Sequence, residues 1–178
     1  IEGGDDNVIG GTAQGASNII SGNLGRGLRI EDAGDRNVVL GNYIGVDATG
    51  ASSLSNGDPG VHIEDSEENE IGDGTSAGGN LIAYNGGAGA SIETQDATRN
   101  SVRGNKVYEN GGIGIDLNGD GLTANDPGDG DSGPNNLQNY PEIASATGDD
   151  GATLTIEYAV PSATSNSDYP LTVEFFLA

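Results

Sequence analysis

The residues best suited to chemistry in this sequence are the acidic and amide side chains between positions 116 and 131. Asp116, Asn118 and Asp120 are spaced two apart, and Gly121 follows them. This is the spacing of a calcium-binding loop, in which oxygen ligands converge on the ion and a glycine permits a sharp turn. The sequence therefore predicts a Ca²⁺ site in this stretch. The candidate ligands are Asp116, Asn118, Asp120, Asp126, Asp129 and Asp131.

The loop is not a complete EF-hand. Its twelfth position, which should carry a bidentate carboxylate, is Pro127, and Asp126 comes one place early. Asp126, Asp129 or Asp131 could complete a site of different geometry. Because no Lys or Arg lies among these aspartates, their charges repel one another unless a cation neutralises them. The alternative is a solvated acidic turn that binds no ion.

The chain between residues 7 and 117 repeats itself, and this repeat must position any site. The string that begins at Asn7 returns 62 positions later, at Asn69, and each period splits into two units of about 31 residues. A first motif, Asn-x-[Ile/Val], begins at Asn7, Asn37, Asn69 and Asn100. A second, Asn-x-[Ile/Val]-x-x-[Asn/Asp], begins at Asn18, Asn42, Asn80 and Asn105 and ends at Asn23, Asp47, Asn85 and Asn110. A third, Gly-x-x-[Ile/Leu], begins at Gly27, Gly60, Gly89 and Gly114.

This repeat predicts an all-β fold, a parallel β-helix of four coils with three short strands each, over residues 1–117. Each strand offers only one or two aliphatic side chains, so the units must stack to bury them. The predicted interior columns are Ile9/Val39/Ile71/Val102, Ile20/Ile44/Ile82/Val107 and Ile30/Ile63/Ile92/Leu117. The corner asparagines are predicted to stack as hydrogen-bonded ladders. One ladder contains Asn7, Asn37, Asn69 and Asn100, and another contains Asn18, Asn42, Asn80 and Asn105.

Catalytic residues are not predicted. Arg103 and Lys106 come closest to the basic pair of a polysaccharide lyase, but surface charges that alternate with core valines are the favoured interpretation. The single histidine, His62, is predicted to point outward and to be inert. Acidic residues such as Glu93 and Glu109 do not form the recurring carboxylate pair that a glycoside hydrolase places on adjacent coils.

The pattern changes after residue 117. Residues 118–139 are predicted to form the acidic Asp/Asn/Gly loop, and residues 140–178 a partial immunoglobulin-like domain of antiparallel strands. Its alternating apolar runs are 153–160 and 171–177, with a shorter strand at 142–146. Because such a sheet has open edges, we expect head-to-tail self-association, extending to filaments. The residues assigned to assembly are Val173, Phe175 and Phe176.

Composition and charge exclude several classes of partner. The net charge of −22 repels nucleic acid and anionic lipid, so neither is expected to bind. The sequence contains no run of about 18 apolar residues, so no membrane span is predicted. The absence of cysteine excludes disulfides and thiolate metal sites. The acidity fits halophilic adaptation, divalent-cation binding or the solubility of a secreted repeat protein. A start at Ile1 without Met is expected of a piece of a longer chain.

Three strings carry a family resemblance: NVIGGTAQGASNIISGN, NVVLGNYIGVDATG and NGDGLTANDPGDGDSGPNNLQNYPEI. They resemble right-handed parallel β-helix repeat proteins of bacterial and archaeal cell surfaces. In those proteins similar coils precede a GPN-LQN-P segment and an immunoglobulin-like domain that ends in EFF. The resemblance covers nearly the whole chain and implies secretion or a cell-surface location, but no particular activity. The chain departs from the family after VEFFLA, short of a complete sandwich.

Two functions follow from these observations. The favoured one is a non-catalytic, extracellular structural or adhesive module that is stabilised by Ca²⁺ and associates with itself or with other surface protein chains. Polysaccharide is a further candidate partner. The alternative is a carbohydrate-active enzyme, either a polysaccharide lyase or a glycoside hydrolase, because β-helices host both and fold alone does not decide activity.

Overall fold

The structure is a computed structural model that describes residues 1–149, 151, 153–167 and 170–175. Coil 1 contains β1 (Val8–Gly10), β2 (Ile19–Ile20) and β3 (Leu28–Ile30). Coil 2 contains β4 (Val38–Leu40), β5 (Tyr43–Ile44) and β6 (Val61–Glu64). Coil 3 contains β7 (Glu70–Ile71), β8 (Leu81–Ala83) and β9 (Ala90–Glu93). Coil 4 contains β10 (Ser101–Val102), β11 (Lys106–Tyr108) and β12 (Ile115–Leu117). A 3₁₀-helix (Pro134–Leu137), β13 (Glu142–Asp149) and β14 (Thr153–Ala159) follow.

The strands of the four coils pair in parallel into three four-stranded sheets, β1-β4-β7-β10, β2-β5-β8-β11 and β3-β6-β9-β12. Equivalent residues of successive coils are paired, as Ile9 with Val39 and Val39 with Ile71. All three predicted aliphatic columns are in register in this way. The predicted parallel β-helix of four three-stranded coils is therefore confirmed.

The interior of the solenoid is narrow and aliphatic. Its column residues in the middle coils have no exposed surface, and burying each stabilises the fold by roughly 1.5–3 kcal/mol. These fully buried residues include Val39, Ile44, Ile63, Ile71, Ile82 and Ile92. Column residues of the outer coils are mostly only partly buried, because a neighbouring coil covers them from one side. The partly buried members are Ile9, Ile20, Val102, Val107 and Leu117.

Asparagine ladders run along the corners of the solenoid. In the first, the Asn7 amide donates to Oδ1 of Asn37 at 2.8 Å, Asn37 to Asn69 at 3.0 Å and Asn69 to Asn100 at 3.0 Å. The backbone N–H of Asn100 donates to Oδ1 of Asn135 at 2.9 Å, so an asparagine of the 3₁₀-helix ends this ladder. The structure thus satisfies buried polar groups that an aliphatic interior cannot.

The second ladder has the same geometry. Asn18 donates to Oδ1 of Asn42 at 2.9 Å, Asn42 to Asn80 at 3.0 Å and Asn80 to Asn105 at 2.9 Å. At each step the backbone N–H of the donor residue points to the same oxygen as its side-chain amide. Each asparagine therefore ties its own coil to the next through two donors.

A third ladder corrects the sequence assignment of Asp47. In coil 2 the ladder position belongs to Asn56, which accepts from the Asn23 amide at 2.8 Å and donates to Oδ1 of Asn85 at 2.8 Å. Asp47 instead lies in an inserted turn, where its carboxylate accepts from the Thr49 hydroxyl at 2.7 Å. The insertion begins directly after β5 and delays the next corner of the coil. The motif spacing therefore assigned Asp47 to the ladder position that Asn56 occupies.

One corner of the solenoid carries charges of alternating sign. The residue before each first-ladder asparagine is Asp6, Arg36, Glu68 and Arg99 in successive coils, and all four have positive φ, between 55° and 58°. Arg36 Nε donates to Asp6 Oδ1 at 2.9 Å, and Arg99 Nε donates to Glu68 Oε1 at 3.0 Å. These ion pairs join coil 1 to coil 2 and coil 3 to coil 4.

The chain divides into two compact units, residues 1–123 with 133–135 and residues 124–132 with 136–178. In the second unit β13 and β14 form an antiparallel hairpin, which confirms the predicted antiparallel segment. The predicted third strand is wrong over residues 171–175, which form no strand. The alternation of apolar residues in that run shows only that a strand there would have one apolar and one polar face. A strand also needs a neighbouring strand to pair with its backbone N–H and C=O groups, and alternation does not provide one.

Candidate functional sites

The six predicted Ca²⁺ ligands belong to different structural units. Asp116, Asn118 and Asp120 lie in the solenoid unit, whereas the other three aspartates lie in the second unit. In the first group the Asp116 carboxylate accepts from the Gly121 backbone N–H at 3.2 Å. The Asn118 amide nitrogen donates to Asp120 Oδ2 at 3.1 Å, so this amide presents a donor to the neighbouring carboxylate. Hydrogen bonds within residues 116–121 therefore hold these three side chains in a turn at the end of the solenoid.

Asp126, Asp129 and Asp131 come together in the second unit. One carboxylate oxygen from each lies within 4.8 Å of the others. Oxygen ligands of one Ca²⁺ ion, each about 2.3–2.6 Å from it, are separated by up to about 5 Å. This aspartate cluster therefore has the dimensions of a cation site. It is the one group of three or more metal-ligating side chains at this spacing in the part of the chain that the structure describes.

The three members of the aspartate cluster differ in their hydrogen bonding. Asp129 is buried and accepts from the Asn139 backbone N–H at 2.7 Å and from the hydroxyls of Ser162 and Ser167. Asp126 accepts from the Gly130 backbone N–H at 3.0 Å. Oδ1 of Asp131 is buried without a hydrogen-bond partner. Asp131 is thus the member with an unused oxygen.

Electrostatics follow from this arrangement. Burial, and then the negative charges of Asp126 and Asp129, raise the pKa of the Asp131 carboxyl above its ordinary value. In the solenoid unit, burial likewise raises the pKa of Asp116, with the charges of Asp120 and Glu93 adding to the effect. Both carboxylates therefore sit where a positive charge would be stabilising.

His62 is a site that the sequence interpretation placed wrongly. It lies on the third sheet, paired with Arg29 in coil 1 and Ser91 in coil 3, but it has no exposed surface. Its Nε2 is 3.3 Å from Glu64 Oε2, and its Nδ1 is 3.5 Å from Glu93 Oε1. The expected exposed histidine is therefore a buried one between two carboxylates. The neighbouring coils and the two glutamates bury the ring. The alternation of residues within a single strand could not show this burial.

Glu64 and Glu93 are in register on adjacent coils. Glu64 also accepts from Arg29 Nη2 at 3.3 Å, and hydrogen bonds from His62 and Arg29 hold the pKa of Glu64 below its ordinary value. Glu93 Oε1 accepts from the Ser91 hydroxyl at 2.8 Å. The sequence comparison set Glu93 beside Glu109 and missed this pair. The signal was present, because each glutamate directly follows an isoleucine of the third interior column.

Arg103 and Lys106 do not converge on a carboxylate pair. Arg103 Nη2 is 3.3 Å from Glu70 Oε1, and its Nε donates to the Ser101 hydroxyl at 2.9 Å. Lys106 is exposed at the start of β11, in a different sheet from Ser101. The geometry is that of surface charges.

The hairpin of the second unit exposes an apolar face. Ile143 lies opposite Tyr158 and Ala146 opposite Ile156, so these side chains share a face with Leu154. Ile143, Leu154 and Tyr158 are 61%, 57% and 45% exposed. Within the described residues these apolar side chains are therefore largely uncovered, and we call this surface the hairpin face.

Of the residues assigned to assembly, two are described. Phe175 is largely exposed and packs edge-on against Tyr158, with ring centroids 5.3 Å apart. Val173 is half-buried. Phe176 lies outside the described residues. Phe175 therefore extends the hairpin face through Tyr158.

The solenoid unit defines the chain as a parallel β-helix protein. Comparison with protein-family models, with curated proteins and with solved structures finds no match for the chain. Within the described residues, no helix combines the length and the apolar character needed to cross a membrane.

Proposed function

We propose that this chain is a non-catalytic structural or adhesive module that works outside the cell or at its surface. The observation that carries the proposal is that aliphatic columns and asparagine ladders, which hold the coils together, make up most of the buried part of the solenoid. Three asparagine ladders and three aliphatic columns connect coils 1 to 4. Repeats joined in this way gain stability from each neighbour and present a fixed surface.

An extracellular location is supported by composition and by resemblance. The chain carries a net charge of −22, and its coil strings resemble those of β-helix repeat proteins of bacterial and archaeal surfaces. A high net charge keeps a repeat protein soluble and discourages indiscriminate contact.

Calcium belongs to the proposal as a stabilising ion of the second unit. The aspartate cluster supplies three convergent carboxylates, and Asp131 supplies an oxygen with no other partner. A divalent cation there would relieve the repulsion among these charges, and oxygen-only ligands suit Ca²⁺. Asp116, Asn118 and Asp120 are not part of this proposed site.

Self-association is the proposed means of assembly. The hairpin face places Ile143, Leu154, Tyr158 and Phe175 in solvent, and a two-stranded hairpin is marginal alone in water. A second copy of the chain that covers this face would remove apolar surface from water at both hairpins.

The test of this function is a search for turnover. We expect no reducing ends and no unsaturated-product absorbance when the chain is incubated with acidic and neutral polysaccharides, whether or not it sediments with them. Turnover that is lost in Arg103→Ala or Glu93→Gln would overturn the structural proposal.

The alternative, a glycoside hydrolase, is favoured by one observation. Glu64 and Glu93 are carboxylates in register on adjacent coils of one sheet, which is the placement such a reaction needs. Against it, both carboxylates already contact His62, which has no exposed surface. In the same assay, release of reducing ends by wild type but not by Glu64→Gln would establish this alternative.

A further inference from the structure

The His62 ring lies between two glutamates on the third sheet of the solenoid. The imidazole has no exposed surface, and its Nδ1 has no hydrogen-bond partner. A buried polar atom without a partner costs free energy and calls for a physical explanation. Oε1 of Glu93 lies 3.5 Å from Nδ1.

The tautomer of the His62 ring determines what Nδ1 can bind. Nε2 lies 3.3 Å from Glu64 Oε2, which fits an N–H on Nε2 that points to this carboxylate. In a neutral imidazole Nδ1 then carries a lone pair, and the negative oxygen of Glu93 lies 3.5 Å from this nitrogen. Two acceptors at this distance repel each other unless a cation or a second proton lies between them.

The separation of the two atoms fits a metal ion. Zn²⁺ binds histidine nitrogen and carboxylate oxygen at about 2.1 Å, and a tetrahedral angle then separates the two ligand atoms by about 3.4 Å. The separation of 3.5 Å between Nδ1 and Oε1 agrees with this value. Imidazole nitrogen also favours zinc and its neighbours in the transition series over calcium or magnesium.

The surrounding residues form the support that a metal-binding histidine usually has. The other ring nitrogen of such a histidine normally donates to a carboxylate, which fixes the ring, and Glu64 holds this place. Arg29 in turn donates to Glu64, and the Ser91 hydroxyl donates to Glu93. Both candidate ligand groups are therefore oriented by a further hydrogen bond.

We propose that His62 Nδ1 and Glu93 Oε1 bind a divalent transition-metal ion of the Zn²⁺ class, with water in the remaining coordination positions. The site lies within the solenoid unit and is separate from the aspartate cluster. Asp116, next to Ser91 in the third sheet, adds negative charge nearby. The ion would tie coil 2 to coil 3 at the surface of that sheet.

The test uses the fact that the chain has a single histidine, so its NMR signals need no assignment. Long-range ¹H–¹⁵N spectra of the whole chain report on the two ring nitrogens of His62 separately. Addition of Zn²⁺ should shift the Nδ1 resonance, and ¹¹³Cd²⁺ should show coupling to it. A ring protonated on both nitrogens without metal, with no change on adding Zn²⁺, would overturn the proposal.

Calorimetric titration of the Ca²⁺-saturated chain with Zn²⁺ measures how three substitutions change the affinity for Zn²⁺. Glu64→Gln should weaken binding by about 10–100-fold, because it removes the orienting carboxylate. Glu93→Gln should weaken it further, whereas Asp131→Asn should leave it unchanged. Binding that survives Glu93→Gln but is lost in Asp131→Asn would place the ion in the aspartate cluster and would also overturn the proposal.

Discussion

Asn80 lies in the middle of the second ladder, where its side chain makes four hydrogen bonds. Its amide donates to Val39 O at 2.8 Å and to Asn105 Oδ1 at 2.9 Å, and its Oδ1 accepts from the backbone and side chain of Asn42. We expect Asn80→Ala to lower the free energy of unfolding by about 1–3 kcal/mol, because it leaves buried partners unpaired on both sides.

Chemical denaturation measures this cost, and Asn18→Ala is the matched control. Asn18 is the exposed first member of the same ladder and has a neighbour on one side only. Its replacement should cost less. Equal costs at the two positions, or none at Asn80, would show that the ladder does not stabilise the coils.

Asp131 permits a test of the proposed Ca²⁺ site. Its charge is partly buried beside two other carboxylates, so Asp131→Asn should raise the melting temperature of the calcium-free chain. The same substitution should abolish the rise in melting temperature that Ca²⁺ produces in wild type. Scanning calorimetry at fixed ionic strength, which keeps screening constant, gives both values.

Asp120→Asn is the control for this experiment, because it removes one charge from the turn in the solenoid unit. It should leave the Ca²⁺ effect intact. A Ca²⁺ effect that disappears in Asp120→Asn and persists in Asp131→Asn would place the ion in that turn.

The insertion of coil 3 provides a pH-dependent prediction. Hydrogen bonds from the Thr75 hydroxyl (2.7 Å) and backbone N–H (2.8 Å) hold the pKa of the Asp73 carboxyl below its ordinary value. A depressed pKa stabilises the folded state above the unfolded pKa of about 3.9, and the contribution is lost as the pH falls through the lower, folded value.

Thr75→Val should therefore reduce stability at pH 6, and its difference from wild type should shrink as the pH falls below about 4. Denaturation curves across this pH range provide the measurement. A difference that stays constant on acidification would show that the hydroxyl acts independently of the carboxylate charge.

At the scale of the element, glycine makes the turns between strands. Gly72 follows β7 with φ of +77°, and a Cβ atom there would lie 2.1 Å from the Arg103 carbonyl oxygen in the next coil. Gly15 has a similar φ of +81°, but a Cβ atom there would meet nothing within 4 Å. These two glycines separate backbone strain from steric contact between coils.

Gly15→Ala should cost about 1–2 kcal/mol through its left-handed backbone alone. Gly72→Ala should cost about 1–3 kcal/mol more, because coils 3 and 4 must move apart. Thermal or chemical unfolding of the two variants decides the point, and equal losses would exclude the contact between coils as a cause.

The elements also show how far sequence reasoning reaches. The columns and coil count could be predicted because an aliphatic residue recurs at each corresponding position, and stacking is the only way to bury them. The place of Asn56 could not, because an insertion separates it from β5, and the motif spacing counted from Asn42 ends at Asp47 instead. His62 was misjudged because its burial comes from Glu64, Glu93 and neighbouring coils, which the alternation of one strand does not reveal.

At the scale of the whole molecule, the hairpin face predicts self-association. Leu154→Lys should reduce the apparent mass of the chain at high concentration, because it puts a charge on the apolar face. Thr155→Lys changes the net charge equally but lies on the opposite face of the same strand. Light scattering and sedimentation over a range of concentrations distinguish them.

Loss of association in both variants would point to net charge as the cause. A wild-type chain that stays monomeric at every concentration would exclude a second copy as the partner of the hairpin face.

The alternating corner charges also restrict how such a solenoid can be lengthened by duplication. Asp6 faces Arg36, and Glu68 faces Arg99, so the pattern of sign repeats every second coil. Deleting coil 2 would set Asp6 against Glu68, whereas adding or removing a pair of coils would preserve every match. The 62-residue internal repeat of the sequence is such a pair. One period of the corner charges therefore spans two coils, and engineered versions that change length by even numbers of coils should keep their charges matched.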